Sequence, residues 1–423
     1  MSYAAVLRVP HARRTFGAAL LARLSYGTVS LSLMLAVTSA TGSYAVAGTV
    51  MALFGAASVF LSPLRALYVD RYGPRRALLP MTGAFAVLLG VLAAVTWRPG
   101  ASGPLLGALA VAAGACTPPL GPTMRTVWSE LVGTREGLVQ RAYSLDGVAE
   151  ELLFVSGPLL VGVVVQFAPA AFGVALSAAL VAVGTAAFVA SPAVRGLTGR
   201  APGGRRRTGG ASPVRGLAQP VVAAVGVGLA LGALDLLVLA FADARQHADA
   251  VAWVLAALSA GSAVGGLVNG AVTWSAPARA RLPFLAAGLA AALGAAAFAP
   301  GLLTLGAAAV CAGLFVAPAL TTAYLVADET AGPAFRTQAG AWVNTAVNAG
   351  LSAGTAGAGL LVARLPLALC FAVAAAPPVA AAVWGVRGMQ GARTTREAAP
   401  GDGAPDAARE SDPAVGPSSS DGR

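Results

Sequence analysis

The segment Ala66-Leu67-Tyr68-Val69-Asp70-Arg71-Tyr72-Gly73-Pro74-Arg75-Arg76 puts an acid, three arginines and a turn-forming glycine between two apolar runs, near 45–67 and 77–97. Each run has roughly the twenty residues that a helix needs to cross the hydrocarbon core of a bilayer. The segment therefore reads as a hairpin loop joining two membrane helices. Gly73 supplies the backbone freedom for a tight turn, and Asp70 is an acid able to meet a helix N-terminus or an arginine of another helix. Arg71, Arg75 and Arg76 anchor the loop on the side of the membrane that collects positive charge.

Working outward, similar runs recur near 15–39, 103–126, 142–166 and 170–190, which gives six in the first half. Six more follow near 219–241, 249–272, 282–299, 302–327, 339–363 and 366–386. The reading is an all-α membrane protein of about twelve transmembrane helices in two six-helix, pseudo-symmetric halves. The chain is 57% hydrophobic and 11% charged over 423 residues, far from the quarter charged of soluble domains, so the lipid bilayer is its solvent. It contains no lysine, and all 28 cationic residues are arginine. A net charge of +11 would suggest nucleic acid in a soluble protein, but here the arginines fall between apolar runs and report topology instead. Cys116, Cys311 and Cys370 sit in separate runs without metal or disulfide spacing. Arg8, Arg13 and Arg14 precede an apolar stretch that is too long for the core of a signal peptide.

The boundaries follow from composition. Residues 1–194 form the first half and 219–387 the second. Between them, 195–218 is a linker rich in Arg, Gly and Pro, including Arg195, Arg200, Arg205, Arg206, Arg207 and Arg215. From 388 to 423 the chain is too poor in apolar residues to order itself, and a disordered tail is expected. Twelve helices put both termini on one side. With the N-terminus cytoplasmic, the outer loops carry only Arg98, Arg245 and Arg364, so both termini are expected inside an inner, cytoplasmic membrane. The halves also repeat each other. At a shift of 198, Asp146 meets Asn344 and Glu150 meets Asn348; at 199, Gly114 meets Gly313, Pro119 meets Pro318 and Glu130 meets Glu329.

The loop from Ala66 to Arg76 resembles the signature of the major facilitator superfamily, Gly-x-x-x-Asp-Arg-x-Gly-Arg-Arg. Asp70, Arg71, Gly73, Arg75 and Arg76 fall on or beside its positions, Ala66 replaces the leading Gly, and Pro74 stands where an Arg is usual. The matching stretch of the second half, from Gly270 to Arg279 and Arg281, keeps a glycine and arginines but has no acid. In the fifth run, Gly157-Pro158-Leu159-Leu160-Val161-Gly162 looks like part of the Gly-Pro motif of drug–proton exchangers in that superfamily, although Val161 and Leu153 depart from it. A proline inside a helix suits a bend. The fourth run carries no charge in 105–118, where those exchangers have an arginine. The resemblance implies a secondary transporter working by alternating access, with the loop as a gate latch; through drug and sugar efflux permeases it also implies export.

Acids inside membrane helices are costly and default to functional candidates. Asp146 and Glu150 are four residues apart and share a helix face, while Glu151 lies about 100 degrees further round. Arg23 sits at a similar depth in the first run, so an Arg23–Glu150 ion pair is expected, either holding the first half together or serving proton coupling or substrate. Asp235 in the seventh run is a substrate or proton candidate, or a hydrated residue near the outer surface. Asn344 and Asn348 share a face near Gly350 and Gly354 and fit a cavity wall or a helix contact. His247 between Asp243 and Asp249 is read as an ordinary loop, so no metal is expected. No phosphate loop, zinc motif or nucleophile elbow appears, so neither a cofactor nor an enzyme is expected. The expected partners are a small-molecule substrate and a proton or other ion, for a monomer. Proton-coupled nutrient uptake, and a non-transporting sensor or scaffold, stay open beside proton-coupled efflux.

Overall fold

The structure is a computed structural model that describes residues 3–133, 135, 137–197, 199, 216–247 and 250–397. All the secondary structure among them is helical. After a short helix, Tyr3–Leu7, come α1 (Ala12–Thr41), α2 (Tyr44–Phe60 and Ser62–Tyr72), α3 (Pro74–Val95), α4 (Gly103–Cys116 and Leu120–Val132), α5 (Leu138–Phe167) and α6 (Ala170–Ala190). The second half holds α7 (Ala218–Asp243), α8 (Ala250–Ala271), α9 (Ala278–Ala296), α10 (Leu302–Ala331), α11 (Arg336–Val362) and α12 (Leu367–Ala374 and Ala376–Glu397). Helical backbone continues to Glu397, past residue 388 where the composition turns polar. Most of the linker, Asp249 and residues 398–423 lie outside the described residues.

Nine of the described helices are long and apolar enough to cross a membrane, and α2 makes a tenth if its two pieces, bent by 41°, count as one span. The two that fall short do so for visible reasons. Arg279 and Arg281 open α9, and α11 carries Thr337, Gln338, Asn344, Thr345 and Asn348 along its first half.

Glycine sets the closest helix crossings. A Cβ on Gly157 of α5 would lie 2.4 Å from the Gly27 carbonyl carbon of α1, and one on Gly232 of α7 would lie 1.9 Å from the Leu351 oxygen of α11. Gly354 meets Leu229 in the same way at 2.2 Å. Small residues let backbones approach where apolar side chains gain nothing by leaving lipid. α5, where Gly157-Pro158 suggested a bend, is one helix from Leu138 to Phe167.

Breaks divide α2, α4 and, at Ala375, α12, and prolines explain those in α2 and α4. Pro118 and Pro119 lack the N–H that would serve the carbonyls four residues back, Gly114 and Ala115. The buried Arg65 replaces both donors: its Nη1 donates to Gly114 O at 2.7 Å and to Ala115 O at 3.1 Å. Its Nη2 donates to Ser58 O, near the end of the first piece of α2, at 2.5 Å. Pro63 frees the Val59 carbonyl of α2 in the same fashion, and Thr345 Oγ1 of α11 donates to it at 2.9 Å, across the two halves. One guanidinium thus staples two broken helices in a medium that offers no water to the freed groups. Replacing it in Arg65→Met leaves three carbonyls without this donor, at about 1–3 kcal/mol each. Thermal unfolding of detergent-purified protein should show a clear drop in melting temperature for Arg65→Met and none for the exposed Arg98→Met.

Candidate functional site

Four charges from three helices meet inside the first half. Arg23 comes from α1, Arg125 from the second piece of α4, and Asp146 and Glu150 from one face of α5. Arg23 Nη1 donates to Asp146 Oδ1 at 2.7 Å, and Arg125 Nη2 to Glu150 Oε2 at 2.6 Å. The cross pairs close a square, with Arg23 Nη2 to Glu150 at 3.0 Å and Arg125 Nε to Asp146 at 3.3 Å. The expected Arg23–Glu150 contact exists, but the hydrogen bond of Arg23 goes to Asp146 and that of Glu150 comes from Arg125. Asp146 is fully buried, whereas Glu150 keeps 28% of its side chain exposed. Burying ions costs several kcal/mol each, and the cost is offset only when every charge is matched, as it is here two against two.

Glu150 is exposed because it faces a cavity of ≈ 720 Å³ between the halves, lined from α4, α5, α7, α8, α10 and α11. Of the residues singled out in the sequence, Glu150, Glu151, Asp235, Asn344 and Asn348 line it, and Arg23 and Asp146 lie behind its wall. Glu151, turned away from the other two acids, accepts a hydrogen bond from Ser262 of α8. Arg125 also lines the cavity, with its guanidinium carbon 3.7 Å from the centre of the Tyr324 ring of α10. Arg125 and Tyr324 are related by the same 199-residue shift that aligns the fourth and tenth runs (324 − 125 = 199), so the repeat meets itself at this contact. The second half answers the charged square with neutral groups. Tyr324 Oη donates to Asn344 Oδ1 at 3.5 Å, and Asn348 Nδ2 to the Asn344 carbonyl at 2.8 Å. The glycines Gly350 and Gly354 on the same helix pack on α7.

The halves are sealed on the side of this cavity that carries Tyr3. Asp70 Oδ1 and Oδ2 accept from the backbone N–H groups of Thr337 and Gln338, at 3.2 and 2.8 Å, and so cap the first turn of α11 with an acid from the opposite half. Arg336 pairs with Glu130 of α4 at 2.7 Å and with Asp328 of α10 at 3.3 Å, and Ser129 Oγ donates to Asp328 Oδ2 at 3.0 Å. Arg71, Arg75 and Arg76 are exposed; Gly73 takes φ 84° between α2 and α3. Across the pseudo-axis, where the second-half loop has no acid, the polarity is reversed. Donors from the first half serve the terminal carbonyls of α8: Gln140 to Asn269 O, Arg141 to Ala271 O and Tyr3 to Leu267 O. Toward the other end the cavity is open: its lining residues Phe154 and Val155, further along α5 than Glu150, are 60% and 52% exposed.

The family model described as Major Facilitator Superfamily matches residues 15–302, more than half of the chain. The chain belongs to that superfamily. Comparison with curated protein sequences gives no match. Among solved structures it is similar to a bacterial homologue of the iron transporter ferroportin in an outward-facing state (TM-score 0.66, 12% identity, covering 88% of this chain and 96% of that one). It is also similar to the E. coli fucose:proton symporter (0.63, 16%, 91% and 99%) and to the human organic anion transporter TETRAN (0.63, 15%, 89% and 99%). At these identities the likeness is one of fold. The twelve helices are therefore those of the superfamily's two-half bundle.

Sequence reasoning missed Arg125, Tyr324, Asp328 and Arg336. Arg125 had a signal: two acids on one helix face call for two cations, and only Arg23 was assigned. The cluster makes a stability prediction. Asp146→Asn leaves two buried arginines facing one carboxylate, a loss of about 3–5 kcal/mol for a broken buried pair. Thermal unfolding should place Asp146→Asn well below Glu150→Gln, because position 150 faces the cavity and stays reachable by water.

Proposed function

We propose that the protein exports a small organic solute across the cytoplasmic membrane by alternating access, with proton entry as the driving force. The observation that carries this reading is the position of Glu150, the one acid of the matched charge square that lines the cavity, which also holds Arg125 against the other half. A proton delivered to Glu150 from the cavity leaves Arg23 and Arg125 sharing Asp146 alone. Arg125 then loses its bond to Glu150, and the stack on Tyr324 is the inter-half contact that feels it. The arginine bias puts the termini inside, so the open end of the cavity faces out, the state in which an exporter releases solute and takes up protons. The Asp70 cap on α11 and the Arg336 pairs act as the inner gate latch that must part for the opposite state. The mostly apolar cavity wall supports an amphipathic organic solute, handled by a monomer without cofactor.

The test is accumulation of labelled candidate solutes in inverted vesicles with the lumen made acid. Wild type should concentrate its solute inside the vesicles. Glu150→Gln should abolish the dependence on the pH gradient while leaving solute exchange down its own gradient. Solute driven out of the lumen by the same gradient would mean proton-coupled uptake on the same groups. No flux of any solute would sink the transporter reading and leave a scaffold on this fold.

A further inference from the structure

Counting charges in the cavity leaves two acids over. Arg23 and Arg125 are matched by Asp146 and Glu150. Glu151 of α5 and Asp235 of α7 line the same cavity, and among the described residues neither meets an arginine. Oε1 of Glu151 takes the Ser262 hydroxyl, while Oε2 is buried and without a partner. Asp235 has no hydrogen bond or ion pair among the described residues. The wall around them is built from side chains such as Phe154, Leu255 and Leu351, which offer no counter-charge. Asp235 is exposed to the cavity and Glu151 half-buried, so both carboxylates are open to a ligand there, and beside these apolar side chains a cation is the group that would match them. Arg125 cannot be that cation, because its charge is already taken by Glu150 and its face by Tyr324.

We propose that the cavity takes an amphipathic organic cation, its charge held between Asp235 and Glu151 and its apolar body against the surrounding side chains. The proposal rests on the transporter reading and names its substrate class. The volume of ≈ 720 Å³ lies within the range of sites that bury a drug-sized ligand. Because one carboxylate belongs to each half, a bound cation draws the halves together over the cavity. Occupancy then favours closure of the open end, which a neutral solute in the same space would not do by charge.

Equilibrium dialysis of the purified full-length protein tests this with tetraphenylphosphonium as probe and tetraphenylborate, an anion of the same shape, as its counterpart. The cation should bind at least about tenfold more tightly than the anion. Asp235→Asn and Glu151→Gln should each weaken cation binding by about tenfold or more, Asp235→Glu should retain it, and the exposed Asp243→Asn should leave it unchanged. Equal affinity for both ions, no cation binding, or wild-type affinity in both neutralised variants overturns the proposal. The charge-retaining variant separates loss of the carboxylate from loss of the fold. Cation binding without flux in vesicles would keep the site and remove the transporter reading. Flux of a neutral or anionic solute without cation binding would do the reverse.

Discussion

Hydrocarbon offers no hydrogen bonds, so every carbonyl released by a proline and every charge placed below the membrane surface must find its partner in the protein or in the cavity. That constraint accounts for the arginines that do not sit in loops. Arg65 closes the breaks of α2 and α4, and Thr345 reaches across from the second half to a carbonyl that Pro63 has freed. Arg23 and Arg125 pair with two acids on α5 and supply the counter-charge that the hydrocarbon lacks. The same groups tie the helices to one another, so satisfying the backbone and assembling the cavity wall are one process.

The two halves share a backbone plan and differ in how they carry polarity. The first half has a square of full charges; the second has a tyrosine and two asparagines at corresponding places. The seal on the terminus side is equally uneven. One corner is an acid on the N-terminal N–H groups of α11, and the other is a set of donors on the C-terminal carbonyls of α8. Both corners exploit a helix end, with the sign of the partner reversed to match the end of the dipole it meets.

Much of this was legible in the residues. The twelve apolar runs, the loop around Asp70 and the shared face of Asp146 and Glu150 follow from spacing and cost alone. The turn of Glu151 toward a different neighbour follows from helix geometry. Arg65 and Arg125 were hidden because each sits at the end of an apolar run, where an arginine looks like a loop residue. Pro118 and Pro119 interrupt α4 without ending it, and the continuation through Val132 carries Arg125 into the bundle. Tyr324 gave no signal, since an aromatic residue in an apolar run looks like packing until its partner is known. Beside its proline neighbour, Gly157 also makes a close contact with Gly27, which only the crossing of α1 and α5 reveals.

The absence of lysine has a chemical consequence. A buried lysine can give up its proton to escape an apolar site, and a guanidinium does not. Both histidines, His11 and His247, lie away from the cavity. Every positive charge around the site is therefore permanent, and any response to acidity in the membrane interior has to be read by carboxylates alone.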